Sequence, residues 1–384
     1  MDNLKKTIAD TFLELADGLE TGNFSSAKIA LMGVGSEHGE ENTMEAALLA
    51  AKKGIKVLFI GSLEAPEGSG VETIQAADQE TAFKLMEDLL KEGKADAAVA
   101  MHYPFPIGVS TVGRLLAPAT GKEFFLATTT GTSSTDRVEG MILNAVAGLA
   151  TAKACGVQDP SLGILNLDGG RQVEMALKKL QENGYKFRFA ESARADGGDV
   201  LRGNDILLGT ADVVVCDTLT GNVIVKMLAA ANSGGKYETL GYGYGPGVGE
   251  GYHQTILIVS RASGARLIAN AIEYAADLVK GNILTTVEKE FAAAKKAGLQ
   301  EILDERKAKE AGPAAEEVVA PPKEVATGEI LGVDVMLLDE ATQVLWKAGI
   351  YAENGMGCTG PVIKVNDAKL EQAHKILVDA GYAQ

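Results

Sequence analysis

Short apolar segments alternate with helical segments along most of the chain, and this alternation constrains the fold more than any other feature. The segments expected to be buried strands are Lys28–Val34, Ile55–Ile60, Asp96–Met101, Phe124–Thr128, Leu162–Leu167, Asp212–Cys216 and Thr255–Val259. Helical patterns between them cover Asn42–Lys52, Ala82–Lys91, Val138–Ala154 and Gln172–Glu182. This order predicts an α/β fold, in which a mostly parallel sheet has helices on both faces. In such folds, ligands usually bind at loops beyond the carboxyl ends of the strands.

The composition changes after a helical stretch that runs from Ala262 to about Ala311. Residues 312–329 contain three prolines among Ala, Glu and Val, which predicts an extended linker. We therefore divide the chain into a body at 1–311, this linker, and a small α+β unit at 330–384. The unit is expected to contain a strand at Val333–Leu338, a helix near Glu340–Lys347, a Gly-rich turn, a strand at Pro361–Val365 and a helix at Asp367–Ala380. Because about 55 residues are marginal for independent folding, we expect this unit to dock on the body or on a partner.

Charge and cysteine usage exclude several classes of protein. The formal net charge of −16 argues against a nucleic-acid partner but allows a local site for a small anion. The three cysteines, Cys155, Cys216 and Cys358, form no CxxC pair and no metal-like cluster, as expected for a reduced cytoplasmic protein. The first segment, Leu4–Leu19, has an amphipathic helical pattern, unlike a signal peptide, and the short apolar runs predict no membrane span.

The segment Gly203–Lys226 has the residues of an anion site. After the strand Asp212–Cys216 come Asp217 and a turn that contains Thr220, Gly221 and Asn222, and the following helix carries Lys226. Backbone N–H groups at a helix start, a hydroxyl, an amide and an ammonium group can together bind phosphate. An ordinary strand–turn–helix, in which the glycine only makes the turn, explains the same spacing equally well.

A second candidate segment, Gly241–Gly264, is rich in glycine. The glycines between 241 and 251, which include Gly245 and Gly247, predict a mobile loop or a close approach of the backbone to a ligand. Ser260, Arg261 and Ser263 follow the last strand and precede the helix Ala265–Val279, so that Arg261 is placed to hold a phosphoryl oxygen. For Ser263, a helix cap is the favoured interpretation.

Three further features are weaker candidates. The turn Gly33–Gly39 lacks the GxGxxG spacing of a dinucleotide site, and its His38 is equally well explained as a capping or solvated residue. His102 follows the third predicted strand and is a plausible lining residue. The hydroxyl-rich run Thr128–Thr135 suits an oxyanion, although turn formation is slightly favoured.

Cys358 differs from the other two cysteines in its surroundings. It lies in the run Asn354–Pro361, where adjacent glycines would expose it and free backbone N–H groups would lower its pKa. Cys155 ends a predicted helix and Cys216 ends a predicted strand, positions at which a cysteine usually packs as a small apolar residue. Cys358 is therefore the candidate nucleophile or acyl carrier.

The run from Val215 to Lys226 resembles the signature of the phosphate acyltransferase family of bacterial phospholipid synthesis. Val215-Cys216-Asp217 and Thr220–Lys226 match that signature, whereas Thr218-Leu219 replace its Gly-Phe pair. The family's opening D-A-M-G-G-D motif corresponds to Leu31–Ser36, which lacks the aspartates. The resemblance implies a fold similar to the isocitrate and isopropylmalate dehydrogenases, and the production of acyl phosphate from acyl carrier protein and phosphate.

The body together with its cysteine-containing tail resembles, over nearly the whole chain, the alpha subunits of component C of glycine/sarcosine/betaine reductase complexes. This resemblance implies a beta subunit as partner, selenoprotein A as the donor of a carboxymethyl group, and thioredoxin as an indirect reductant. It further implies that an acetyl thioester is cleaved by inorganic phosphate to acetyl phosphate, without a cofactor. Asn222, Lys226 and Arg261 would hold the phosphate, and the thioester would be on Cys358 or on the beta subunit. The alternatives are a phosphate acyltransferase acting alone and a non-catalytic scaffold.

Overall fold

A computed structural model describes residues 12, 27–195, 197–198, 200–310, 318–331, 333, 337–357, 360–380 and 382. Contacts divide the chain into two units, Met1–Leu303 and Asp304–Gln384. The predicted helix Leu4–Leu19 lies outside the described residues apart from Phe12, and so does Cys358. Residues 311–317 of the predicted linker are outside them as well, so the linker and the domain limits stay predictions.

The first unit contains twelve strands of one sheet and nine helices among its described residues, the last helix extending past Leu303. The strands are β1 Lys28–Met32, β2 Lys56–Gly61, β3 Val71–Gln75, β4 Ala97–Ala100, β5 Val109–Leu116, β6 Glu123–Thr132, β7 Ser161–Leu165, β8 Arg188–Phe189, β9 Val200–Leu201, β10 Val213–Val215, β11 Gly245–Val248 and β12 Ile256–Ile258. The helices are α1 Gly39–Ala51, α2 Gln79–Lys91, α3 Arg137–Ala154, α4 Gly170–Glu182, α5 Gly203–Leu208, α6 Thr218–Ala230, α7 Ala265–Lys280, α8 Ile283–Lys296 and α9 Leu299–Glu310.

The sheet consists of two parallel halves joined by antiparallel strands. Its order is β3-β2-β1-β4-β12-β11-β5-β6-β10-β7-β8, with β9 also paired to β7. The pairs β12/β11, β11/β5 and β5/β6 are antiparallel and the others are parallel. Three successive reversals make the two parallel halves run in opposite directions, so their strands end at opposite edges of the sheet.

Alternate residues of the strands face two different apolar layers. Ile29 and Leu31 of β1 belong to one buried cluster, whereas Ala30 and Met32 belong to another. The first cluster also holds the buried sides of α1, α3, α4 and α7, and the opposite layers hold those of α2 and α6. Because successive strand residues point to opposite faces, helices cover both sides of the sheet. The predicted α/β class is confirmed.

All seven predicted strands and four predicted helices are present, with shifts of a few residues at their ends. The stretch after Ala262 forms three helices, α7, α8 and α9. The prediction that glycines 241–251 form no regular element is wrong, because residues 245–248 form β11 in the middle of the sheet. Only a glycine-rich strand fits there, as a Cβ on Gly245 would lie 1.7 Å from the carbonyl oxygen of Val112.

The second unit has its own sheet, helices and core. Strands β13 Gly328–Leu331, β14 Ala352–Gly357 and β15 Gly360–Val365 form an antiparallel sheet with β15 in the centre. Helices α10 Leu338–Lys347 and α11 Leu370–Asp379 contribute Leu345 and Leu377 to its buried cluster. The predicted small α+β unit is thus confirmed as a fold class.

A strand that the sequence did not predict lies at Gly328–Leu331, where Gly328 and Ile330 are buried and Glu329 and Leu331 are exposed. Residues 334–336 of the predicted strand Val333–Leu338 lie outside the described residues, and Leu338 begins helix α10. In the glycine-containing run that starts at Asn354, residues 354–357 pair with β15 as part of β14.

Candidate active site

A cleft of about 440 Å³ opens in the first unit where several separate segments meet. The end of β12 contributes Ser260 and Arg261, and α6 contributes Asn222 and Lys226. The other lining residues are Glu37, Met101, His102, Thr130, Tyr244, Ile258 and Val259. Two predicted segments, about forty residues apart in sequence, therefore supply the polar walls of one cavity.

Helix α6 presents Asn222 and Lys226 to this cleft because residues four apart lie on the same helical face. The helix also packs closely against β6: a Cβ on Gly221 would be 1.7 Å from the carbonyl oxygen of Thr128. This approach brings the amide nitrogen of Asn222 to 3.0 Å from the carbonyl oxygen of Thr129, to which it donates. An Asn amide has two N–H groups, so one remains available for a ligand.

Lys226 reaches the cleft from the third turn of α6. Its ammonium nitrogen lies 3.7 Å from a carboxylate oxygen of Glu238 and 5.3 Å from the centre of the Tyr244 ring. The side chain remains 55% exposed, so it can also contact a ligand in the cleft. Glu238 is buried, and burial together with the neighbouring Glu238 charge raises the pKa of Tyr244 far above its usual range. Tyr244 is therefore a neutral hydrogen-bond donor to Glu238 at physiological pH.

Arg261 lies in a turn whose backbone is fixed on both sides. The Ser260 hydroxyl accepts from the N–H of Ala262 at 3.2 Å, and the carbonyl of Arg261 accepts from the N–H of Glu37 at 2.9 Å. The Arg261 side chain is exposed, and among the described residues no carboxylate lies within 4 Å of its guanidinium. A rigid backbone with a free guanidinium suits an anion that enters from solvent.

The residues that line the cleft include two cations and one acid, and the buried Glu238 lies 3.7 Å from one of the cations, Lys226. Lys226 and Arg261 are cationic, Asn222 donates a hydrogen bond, and Glu37 is the acid among the lining residues. Together these donors can bind the oxygens of phosphate. A further backbone or side-chain donor can bind an oxygen of a second group in the cleft.

Asp217 and Thr220 lie at the start of α6 and are paired with each other. The Asp217 carboxylate accepts from the N–H of Thr220 at 3.0 Å and from its hydroxyl at 2.8 Å. Asp217 lines a different cavity, of about 270 Å³, together with Thr218, Arg137 and much of the hydroxyl-rich run Thr128–Thr135. The structure therefore gives these two residues the contacts of a helix N-cap.

The remaining predicted ligands pack against the protein itself. A Cβ on Gly247 would overlap the ring of Phe105, and those on Gly221 and Gly245 would overlap carbonyl oxygens. Ser263 is fully buried: its hydroxyl accepts from the N–H of Ser260 and donates to Glu238. The N-cap of α7 is Gly264, so Ser263 is not the cap that the sequence favoured.

Of the weaker candidates, some line the cleft and others pack elsewhere. His102 lines the cleft, whereas the His38 ring contacts the carbonyl oxygen of Ala262 and the ring of Tyr237. Burial raises the pKa of Cys155 to about 12 and that of Cys216 still further, so both remain thiols at physiological pH. Both therefore match the predicted role as packing residues.

Sequence reasoning missed Glu37, Glu238 and Tyr244. Tyr244 lies among the glycines of the second segment. A large side chain in such a run could have indicated a residue with a specific contact. Glu238 lies outside both segments, and nothing in the sequence around it distinguishes it from a surface glutamate.

Comparison with known proteins assigns the chain to a class. The family model described as fatty acid synthesis protein matches residues 27–364. The chain therefore belongs to this family.

Within the family, one relative is similar over the whole length. The chain is 54% identical over 389 residues to the glycine/sarcosine/betaine reductase complex component C subunit alpha of Peptoclostridium acidaminophilum, with 99% of each chain covered. This confirms the resemblance to component C alpha subunits. The phosphate acyltransferase of Thermotoga neapolitana is 27% identical over 234 residues, or 52% of this chain and 68% of that protein.

A solved structure of a branched-chain phosphotransacylase from Enterococcus faecalis aligns with 65% of this chain and 99% of its own, at 14% identity and a TM-score of 0.43. The expected likeness to the isocitrate and isopropylmalate dehydrogenases stays a prediction.

Two searches of the described residues gave negative results. Within them, no helix is both long and apolar enough to cross a membrane. The same residues contain no group of three or more His, Cys, Asp or Glu side chains suited to a metal ion.

Proposed function

We propose that this chain binds inorganic phosphate in the Asn222/Lys226/Arg261 cleft and forms acetyl phosphate, as the alpha subunit of a component C. The observation that carries the proposal is that these three residues, from two distant segments, line one cavity. The relative that is 54% identical over the whole length is a component C alpha subunit, which supports a partner subunit and a reductase complex.

In the proposed reaction, a phosphate oxygen attacks the carbonyl carbon of an acetyl thioester. The new C–O bond forms, the C–S bond breaks, and the thiolate leaves with the electron pair, so acetyl phosphate and a free thiol result. Phosphate is already anionic and needs no general base. Hydrogen-bond donors aimed at the developing oxyanion typically contribute about 3 kcal/mol each.

We place the thioester on Cys358 or on a cysteine of the beta subunit, and its acetyl group originates from the carboxymethyl group of selenoprotein A. In that step the C–Se bond breaks, the carboxymethyl carbon is reduced by two electrons to a methyl group, and selenium is oxidised by two electrons to a selenenyl sulfide with a second thiol. The carboxyl group loses water as the thioester forms, and thioredoxin then reduces the Se–S bond. The relative's name, a component C subunit alpha, supports a complex with other subunits. Selenoprotein A and thioredoxin are part of the proposal.

The first test is arsenolysis of acetyl phosphate by the purified chain, with and without its beta subunit. Arsenate competes for the phosphate site, and acetyl arsenate hydrolyses, so a reversible acetyl thioester is detected as loss of acetyl phosphate. We expect Lys226→Met and Arg261→Gln to reduce this rate by about a hundredfold, the size of a lost charged contact. Lys236→Met, an exposed lysine near the cleft, is the matched control. No arsenolysis even with the partner present would contradict the proposal.

The role of Cys358 is tested by thiol labelling at pH 8. Because burial raises the pKa of Cys155 and Cys216, we expect both to react slowly in the native chain. A fast-reacting thiol that is lost in Cys358→Ser, together with loss of arsenolysis, would support the carrier role. Intact acetyl phosphate formation by Cys358→Ser in the assembled complex would place the thioester on the beta subunit.

A second candidate function is that of a phosphate acyltransferase using acyl carrier protein, as the similarity over 52% of the chain suggests. Long-chain acyl phosphate formation by the chain alone would favour it. A non-catalytic scaffold would instead show lower stability in Lys226→Met without a specific loss of phosphorolysis.

A further inference from the structure

Glu238 is a buried carboxylate that lies between the two segments forming the cleft. It is 4% exposed. One carboxylate oxygen accepts from the Tyr244 hydroxyl at 2.9 Å, and the other accepts from the Ser263 hydroxyl at 3.3 Å. Its backbone is bonded on both sides to the turn that carries Arg261, through the Ala262 carbonyl at 3.0 Å and the Gly264 N–H at 2.9 Å.

A buried carboxylate is costly unless it is paired with a cation and hydrogen-bonded. Lys226 is the cation within 4 Å of Glu238 among the described residues, and its ammonium nitrogen is 3.7 Å from the same oxygen that accepts from Tyr244. The Tyr244 ring lies 5.3 Å from that ammonium group. Lys226 is thus confined between a carboxylate and an aromatic face, although half of its side chain is exposed.

A lysine side chain loses conformational entropy when it is fixed, so an unconfined lysine binds an anion less well than a prearranged one. We propose that Glu238 is the positioning residue of this site: it holds the Lys226 ammonium at the cleft wall and aligns it with the turn of Arg261. Glu238 does not line the cleft and acts on phosphate through Lys226. This inference rests on the proposed phosphate site.

The sign of the effect separates positioning from simple charge repulsion. Removal of a negative charge near an anion site would by itself tighten anion binding. Loss of positioning weakens it. Glu238→Gln keeps one acceptor oxygen, for the hydroxyl of either Tyr244 or Ser263, and places an NH2 group that can donate to the other hydroxyl. It removes the charge that holds Lys226, so the two effects predict opposite changes in phosphate affinity.

The experiment is a double-mutant cycle on the full chain, in which calorimetry measures the Kd of inorganic phosphate. We expect Glu238→Gln to raise the Kd about tenfold, which corresponds to about 1.4 kcal/mol. In a Lys226→Met background, the residue through which Glu238 acts is gone and only the loss of repulsion remains, so the same substitution should leave the Kd unchanged or lower it. An unchanged or lower Kd in Glu238→Gln, or an equal effect in both backgrounds, would overturn the inference.

Two further variants keep the result independent of folding defects. Glu174→Gln alters another buried, lysine-paired carboxylate, on α4, and should leave the phosphate Kd unchanged. If Glu238→Gln does not fold, Tyr244→Phe takes its place in the cycle, since it keeps the ring and removes the hydrogen bond to Glu238. A rise in Kd in Tyr244→Phe that disappears in the Lys226→Met background supports positioning. Equal effects of Tyr244→Phe in both backgrounds refute it. Absence of phosphate binding by the unaltered chain would instead refute the proposed function itself.

Discussion

Gly221 shows how one residue sets the position of the candidate site. It lies inside α6, where a Cβ would be 1.7 Å from the Thr128 carbonyl oxygen and 3.0 Å from the Cys216 sulfur. The Thr128 carbonyl belongs to the backbone of β6, so it cannot move away as the end of a flexible side chain can. The close approach of α6 to β6 that directs Asn222 and Lys226 into the cleft therefore requires glycine here.

We expect Gly221→Ala to lower the free energy of unfolding by about 3 kcal/mol through overpacking. Gly203→Ala is the matched control, because Gly203 is also in a helix but has open space around its Cβ position. That variant should change stability by about 0.5 kcal/mol or less. Urea denaturation of both proteins makes the measurement, and equal midpoints would show that α6 can shift away from β6.

Asp205, in the conspicuous segment Gly203–Lys226, makes structural contacts. Burial favours a raised pKa, but hydrogen bonds from the N–H groups of Arg202 and Ala193 and from the Ser192 hydroxyl outweigh it and lower the pKa of Asp205. A carboxylate with a lowered folded-state pKa stabilises the fold above its unfolded-state pKa of about 3.9. That stabilisation is lost as the pH falls through the folded-state value.

We therefore expect the stability difference between the unaltered chain and Asp205→Asn to be largest near pH 6 and to shrink below about pH 4. Urea unfolding at several pH values measures it. Asp168→Asn, an exposed aspartate, controls for general charge effects. A difference that did not vary with pH would mean that the carboxylate charge contributes nothing.

At the scale of elements, α6 has two ends with different roles. Its first residues, capped by Asp217, border the 270 Å³ cavity, while its second and third turns border the candidate active site. The sequence predicted an anion site at the start of this helix. The path of α6 across β6 instead brings its second and third turns, with Asn222 and Lys226, to the wall of the cleft.

We expect Asp217→Ala to reduce stability by about 1 kcal/mol, the usual value of an N-cap. Asp217→Asn should cost less, because Asn also caps helices well. Neither change should alter the phosphate Kd by more than about twofold, because Asp217 borders the other cavity, where it caps α6 and lies 3.7 Å from Arg137. A large rise in Kd in the Asn variant, with stability preserved, would return Asp217 to the phosphate site.

At the scale of the whole molecule, each unit has its own apolar core. The C-terminal unit buries Leu345, Ile363 and Leu377, and the first unit buries a separate set that includes Leu126. All described residues of the candidate site belong to the first unit. Separate cores make separate unfolding transitions the expected behaviour.

We expect Leu345→Ala to destabilise the C-terminal unit by about 2–5 kcal/mol and to leave both the transition of the first unit and the phosphate Kd unchanged. Leu126 is an equally buried leucine of the first unit. Leu126→Ala should destabilise the first unit and leave the transition of the C-terminal unit unchanged. Differential scanning calorimetry separates the two transitions. If both variants shifted one common transition, the units would unfold as a single cooperative block.

The sequence by itself determined the α/β class, the order of strands and helices, and four of the polar residues that line the cleft. It could do so because the spacing of apolar residues reflects which side of a strand or helix is buried, and because the Val215–Lys226 run retains a recognisable signature. Asn222, Lys226, Ser260 and Arg261 were all found in this way.

Only the tertiary structure decided which of the marked residues meet. The close approach of α6 to β6 puts the start of the helix beside one cavity and its second and third turns beside another. Gly245 and Gly247 proved to be packing residues of a central strand, and Glu238 came to lie beside Lys226. Local periodicity contains no information on such contacts, because they depend on the distance between segments far apart in sequence.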